Sequence, residues 1–212
     1  MKKQFACGCT FDIIDNHIIY SPDIEQLPLN CNATWDLICE GNTKGVFQLE
    51  SQLGRSMSER VKPRSIEELS DLIAIIRPGC MEAIVDGKSL TQHYIDRKHG
   101  IDPVEYFHDA LKPILSSTYG ILVYQEQALL IARDIGGFDL QEADILRKAI
   151  GKKKVSLMTK LRKQFIEKAE QKGTVTKSQA KEIFGWIEKS QRYSFNKSHS
   201  VSYAYNSYLT AY

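Results

Sequence analysis

Arg147, Lys148, Lys152, Lys153 and Lys154 put five positive charges into eight positions of the stretch ADILRKAIGKKK (143–154). A helix beginning near Leu140 would carry Asp144, Arg147, Lys148 and Gly151 on neighbouring turns. Cations in a last helical turn are favoured by the macrodipole, which accounts for Arg147 and Lys148 without any ligand. Three further lysines straight after Gly151 go beyond that need. Like charges packed this closely repel one another unless a multivalent anion lies among them. A triphosphate or a nucleic-acid backbone has the matching charge density.

A second candidate is YSFNKSHS (193–200), which interleaves Tyr193 and Phe195 with Asn196, Lys197 and His199. Aromatic faces beside cations suit bases and phosphates. The same residues also read as a core Phe195, a Ser198 cap on a final helix and an exposed Lys197. A third candidate is Cys7, Cys9 and Cys31, which with a fourth ligand such as His17 could hold Zn2+. Structural zinc sites usually space their cysteines more widely than Cys-x-Cys, and buried free thiols explain the same residues. Cys39 in DLICE reads as facing a core, and Cys80 reads as a turn residue.

No catalytic apparatus accompanies these groups. The sequence has no Gly-rich phosphate loop, no Gly-x-Ser-x-Gly and no His-Glu-x-x-His. It also lacks Asp-x-Asp, the paired carboxylates that grip two metals in phosphoryl transfer.

The elements that must position these residues are mostly helices. Residues 1–33 read as a small irregular or β-like N-terminal piece, with FDIID and HIIYS as its strand-like parts. From Thr34 onward helical signals dominate. Ser65 with Glu68, and Asp139 with Glu142, have capping-box spacing. Pro78 is expected to stop the first of these helices and Gly151 to cap the end of the second. Leu157, Leu161, Phe165 and Ala169 recur every four residues, flanked by Met158 and Ile166. A further helix starts at Thr176 and turns Ala180, Ile183, Phe184 and Ile187 inward. The Ser- and Tyr-rich end reads as a last helix.

The chain has 212 residues, a formal net charge of +2 and five cysteines. That small net charge hides an asymmetry, because residues 147–197 hold fifteen lysines and arginines against four acids. A polyanion docking on this third of the chain fits such a split; a solvated lysine-rich surface accounts for the more scattered lysines. No apolar run approaches the roughly 20 residues of a membrane span, and no secretory signal is apparent. A cytoplasmic protein with reduced thiols is expected.

Six strings, GVFQLES (45–51), IIRPGC (75–80), HYIDRKHG (93–100), STYGILVYQEQ (117–127), ADILRKAIGKKK (143–154) and YSFNKSHSVSYA (193–204), resemble one family in order and spacing. That family is the alpha subunit of bacterial DNA polymerase III, the C-family replicative DNA polymerases. The resemblance covers the end of the palm and the fingers, from about Thr34 onward. It implies a mainly α fold in which 34–212 is the helical fingers domain, cut short at its C-terminal end; 1–33, outside the resemblance, is read as a palm-edge or metal-binding piece. By the same resemblance Arg147, Lys148 and Lys152 bind the incoming nucleotide, and Lys153, Lys154, Asn196, Lys197 and His199 contact DNA.

The family's catalytic aspartates lie upstream in the palm, so the chain is expected to hold no catalytic residue and to be inactive alone. Mg2+ would be held in the complete polymerase by ligands outside this chain. The implied partners are primer–template DNA, deoxynucleoside triphosphates, a palm-bearing polymerase chain and, through missing segments, the sliding clamp. No membrane partner is implied, and the expected location is the cytoplasm of a bacterial cell or phage-infected host. Lys148 stands where many members have arginine and lacks its planar fork, and RPGC replaces the usual RPGP. The missing PHP domain, the unmatched CGCTF start and the stop at Tyr212 suggest a fragment, an interrupted gene or a split phage-type polymerase. The alternative is a stand-alone module that binds nucleotides, nucleic acid or a host replication protein, with no polymerase activity.

Overall fold

The computed structural model describes residues 27–152, 155–190 and 192–212, together with the backbone of three strand segments before them. The chain divides into two compact units: Met1–Ile76 with Ser198–Tyr212, and Arg77–Lys197.

In the first unit β1 (Lys2–Gln4), β2 (Thr10–Ile14) and β3 (His17–Ile19) form an antiparallel sheet in chain order, with Asp12 opposite both Lys2 and Ile19. FDIID and HIIYS supply β2 and β3, as their β-like pattern predicts. Helices α1 (Asn32–Cys39), α2 (Gln52–Val61) and α3 (Ile66–Ile75) follow. Ser65 Oγ accepts the Glu68 N–H at 3.2 Å, while the Glu68 carboxylate accepts the Arg64 N–H at 2.7 Å, one residue ahead of the cap. Leu69, Leu72 and Ile73 are buried along α3.

The last helix, α11, runs Lys197–Ala211, and all but its first residue belongs to this unit. Its polar residues are tethers. The Tyr208 ring lies 4.6 Å from that of Trp35, and its hydroxyl donates to Pro28 O at 2.7 Å. Ser200 donates to Ser70 O and Ser207 to Phe47 O. A Ser- and Tyr-rich helix can therefore sit against a core with its hydroxyls satisfied.

The second unit begins with α4 (Pro78–Glu82), so Pro78 occupies a first helical position, where its missing N–H costs nothing. Strands β4 (Ile84–Val85) and β5 (Lys88–Ser89) are joined by Asp86-Gly87, both at positive φ, the pairing a tight hairpin turn requires. Then come α5 (Leu90–Lys98), α6 (Lys112–Leu115), α7 (Gln125–Asp134), α8 (Leu140–Lys152), α9 (Val155–Lys172) and α10 (Lys177–Ser190).

One core unites α7 to α10, through Ile131, Leu146, Phe165, Ala169, Ile183 and Phe184. Phe138, Phe165 and Phe184 form an aromatic ladder with centroids 6.0 and 5.3 Å apart. Gly136 has to be glycine, because a Cβ there would overlap the Phe165 ring. Both terms of the Asp139–Glu142 box are present, at 3.0 and 2.8 Å, and Thr176 pairs with Gln179 in the same way.

Two local expectations need correction. Gly151 does not cap α8, which continues through it to Lys152; glycine permits a left-handed cap without imposing one. Cys80 is no exposed turn residue but a buried member of α4. Among the described residues no helix is long and apolar enough to cross a membrane.

Candidate functional site

Helix α8 is fixed by its inward face, where Ala143, Leu146, Ala149 and Ile150 are all buried. That face turns Asp144, Arg147 and Lys148 outward. Arg147 donates through Nε and Nη2 to Asp144 Oδ1 at 3.0 and 2.9 Å, and Lys148 Nζ lies 2.7 Å from Asp144 Oδ2. The two cations share one carboxylate. Lys148, then Arg147, holds the Asp144 carboxyl below its ordinary range. The side chains stay accessible, with Arg147 37% and Lys148 59% exposed. Lys168 on α9 pairs with Glu142 and so secures the start of α8.

Asp144 thus supplies part of the countercharge that the packed cations of 147–154 require. Lys152 ends α8, and Lys153 and Lys154 lie outside the described residues.

The second candidate stretch is the meeting point of three of the quoted strings. Tyr124 forms an isolated bridge with Phe195, bonded as Phe195 N–H to Val123 O and Gln125 N–H to Phe195 O, each 2.9 Å. Glu126, in the first turn of α7, accepts from Asn196 Nδ2 at 3.1 Å and from the Lys197 N–H at 2.9 Å. The Lys197 ammonium lies over the Tyr124 ring, 5.6 Å from its centroid, and the Arg77 guanidinium over Phe195 at 4.3 Å. Such placements are the favourable geometry for a cation on an aromatic face.

The start of α4 packs against Tyr193 in the same segment. A Cβ on Gly79 would come within 3.0 Å of Tyr193 Cα, and Cys80 Sγ lies 3.9 Å from Tyr193 O. Burial pushes the Cys80 thiol up to about 12, against the pull of Arg77, and burial likewise raises the Tyr193 phenol. Cys80 and Tyr193 therefore meet as packed neutral groups.

The sequence-predicted residues are therefore only partly assembled. Arg147 and Lys148 adjoin on α8, and Asn196 and Lys197 adjoin beside α7. His199 belongs to the first unit, exposed, with its ring 4.0 Å from that of Tyr203. Phe195 is half-buried rather than core, and Ser198 lies inside α11 rather than at its cap. Glu126, Tyr124 and Arg77 escaped the sequence reading, although each lies in a quoted string. An acid in a first helical turn was the available signal for Glu126.

Cys7 and Cys9 lie outside the described residues, and Cys31 is buried. Among the described residues no three His, Cys, Asp or Glu side chains form a group able to hold a metal ion.

A family model for the bacterial DNA polymerase III alpha subunit finger domain matches residues 8–173. The DNA polymerase III subunit alpha of Aquifex aeolicus is 44% identical over 187 residues, which cover 88% of this chain and 16% of the relative. That of Campylobacter jejuni is 40% identical over 219 residues, covering 100% and 18%. The Escherichia coli K12 protein is 40% identical over 193 residues, covering 89% and 16%. The chain thus spans less than a fifth of the length of these relatives. It belongs to the family of bacterial DNA polymerase III alpha subunits and matches it in the finger domain.

Proposed function

We propose that this chain supplies the fingers of a template-directed DNA polymerase acting in DNA replication. Arg147, Lys148 and Lys152 bind the triphosphate of an incoming deoxynucleotide. Lys153, Lys154, Asn196, Lys197 and His199 contact the primer–template. Residues 34–212 are the fingers segment and 1–33 the piece that precedes it. The catalytic carboxylates and their Mg2+ come from a palm-bearing polymerase chain, so this chain alone performs no synthesis. The sliding clamp engages through other segments, and the complex works in the cytoplasm. Zinc bound by Cys7, Cys9 and Cys31 is part of the same proposal for the N-terminal piece.

The observation that carries the nucleotide reading is the outward pair on α8. Two cations with one shared carboxylate keep a net positive charge and remain accessible. A triphosphate can compete for that carboxylate's place, because charge-assisted contacts from arginine to phosphate are among the stronger polar interactions.

The test is nucleotide binding by the purified chain, alone and with a palm-bearing partner. Nucleoside triphosphate should bind ahead of monophosphate, with affinity falling as salt rises. Arg147→Ala should weaken triphosphate binding by about tenfold. Lys177→Ala, whose side chain pairs with Glu170 on an exposed surface, should change little. Equal small effects from both variants would reduce the α8 cluster to a solvated face.

A further inference from the structure

We infer that Glu126 is a positioning residue, which holds Asn196 and Lys197 at the start of α11 so that Lys197 can meet a nucleic-acid phosphate. The inference rests on the reading of Lys197 as a DNA contact. Glu126 directs both carboxylate oxygens at these two residues: one takes the Asn196 amide at 3.1 Å and the other the Lys197 N–H at 2.9 Å. The two backbone hydrogen bonds between 123–125 and Phe195 bring this segment to the carboxylate, and the Tyr124 ring beneath the Lys197 ammonium sets where that charge lies. Backbone, amide and cation are thus all referred to α7.

A blander account is that an acid suits the first turn of α7, where the helix dipole favours it. That explains a carboxylate at this place but not why both oxygens face residues some 70 positions away. The two accounts also differ in sign. A surface acid beside a phosphate-binding cation repels the polyanion, so removing it should tighten DNA binding. A positioning acid, once removed, releases Lys197, and binding should weaken although a negative charge has gone.

The experiment measures binding of the full chain to a fluorescently labelled primer–template with a single-stranded 5′ overhang, over a series of salt concentrations. Lys197→Ala should weaken binding and reduce the slope of log affinity against log salt by about one. Glu126→Ala should weaken binding severalfold with the same loss of slope, and the double variant should lose no more. Glu126→Gln keeps an acceptor for the Lys197 N–H, and its amide can still pair with Asn196, so it should bind at least as tightly as the parent. A purely structural defect lowers the active fraction but leaves the slope unchanged. Should Glu126→Ala fail to fold, Glu126→Asp keeps the charge, withdraws the carboxylate by one methylene and carries the same expectation. Tighter or unchanged binding by Glu126→Ala beside a weakened Lys197→Ala overturns the positioning role alone, as do additive effects in the double variant. No effect from Lys197→Ala overturns the reading of Lys197 and the inference with it.

Discussion

The stretch from Thr118 to Gln127 and the outward face of α8 both carry family strings, yet they use their polar groups in opposite ways. Around Gln127 the groups face one another. Its Oε1 accepts the N–H of Val123 and of Tyr124, each at 2.9 Å, and its Nε2 donates to Thr118 Oγ1 at 2.7 Å. Thr118 in turn donates to Ile121 O at 2.7 Å. On α8, Arg147 and Lys148 share Asp144 and keep much of their surface in water. A closed network of buried hydrogen bonds stabilises one geometry, because each group left unpaired would be costly. An exposed ion pair stabilises little, and its partners can be exchanged. The first region is built to hold a shape, and the second leaves its cations open to exchange.

The largest effect should come from opening the closed network. Gln127→Ala would take the side-chain acceptor from the Val123 and Tyr124 amides in a place where Gln127 and Thr118 are 5% and 0% exposed, while Thr118 keeps its bond to Ile121 O. Unsatisfied buried groups cost about 1–3 kcal/mol each, and partial relaxation offsets some of it. A loss of about 2–4 kcal/mol in urea denaturation is expected, far beyond the shift from Lys148→Ala. Similar small shifts for both variants would erase the contrast.

Lys88, with its bonds to Asp96 and Asp102 at 2.7 and 2.8 Å, is an intermediate case, since Asp96 is buried while Lys88 is partly exposed. Lys88 first, then Gln92, holds the Asp96 carboxyl below its usual range despite the opposing effect of burial. A depressed folded-state pKa adds stability above the ordinary carboxylate range, and that stability is lost as pH falls through the lowered value. Asp96→Asn should therefore be less stable than the parent at neutral pH, by less than Gln127→Ala. The gap should narrow as pH falls below the ordinary carboxylate range and through the lowered value. Urea midpoints across that range measure it, and a gap independent of pH would mean that the amide is merely a poor fit.

Features confined to one helical turn were legible in the sequence. The inward faces of α9 and α10 follow from spacing alone, and the Asp139–Glu142 and Thr176–Gln179 pairs need only three residues of chain. The density of cations at 147–154 was equally plain. What could not be read depends on contacts between distant segments. Glu126 meets Asn196 across 70 positions, and Cys80 meets Tyr193 across 113; no periodicity reports such pairs. Gly151 failed for a different reason: glycine is permissive, so its presence after a basic helical turn does not decide whether the helix ends. Asp144 was in view as a neighbour of Arg147 and Lys148, but an argument from the density of positive charge passes over a single acid.

That acid gives the subtlest way to sharpen the contrast. Asp144 opposes two cations with one negative charge, and its carboxyl is held ionised by Lys148 and Arg147. A triphosphate reaching the pair has to share it with this carboxylate. Asp144→Asn keeps the size and one acceptor oxygen while removing the charge. The melting temperature should barely move, because the group is exposed and its pairs lie within one helix. Triphosphate affinity should rise severalfold at low salt, with the gain shrinking as added salt screens the site. Titrating labelled nucleotide into parent and variant at two salt concentrations measures both effects. A fall in affinity would mean that Asp144 aims the Arg147 guanidinium rather than competing with the ligand. The face of α8 would then be preorganised like the network around Gln127, and the two regions would differ in exposure alone.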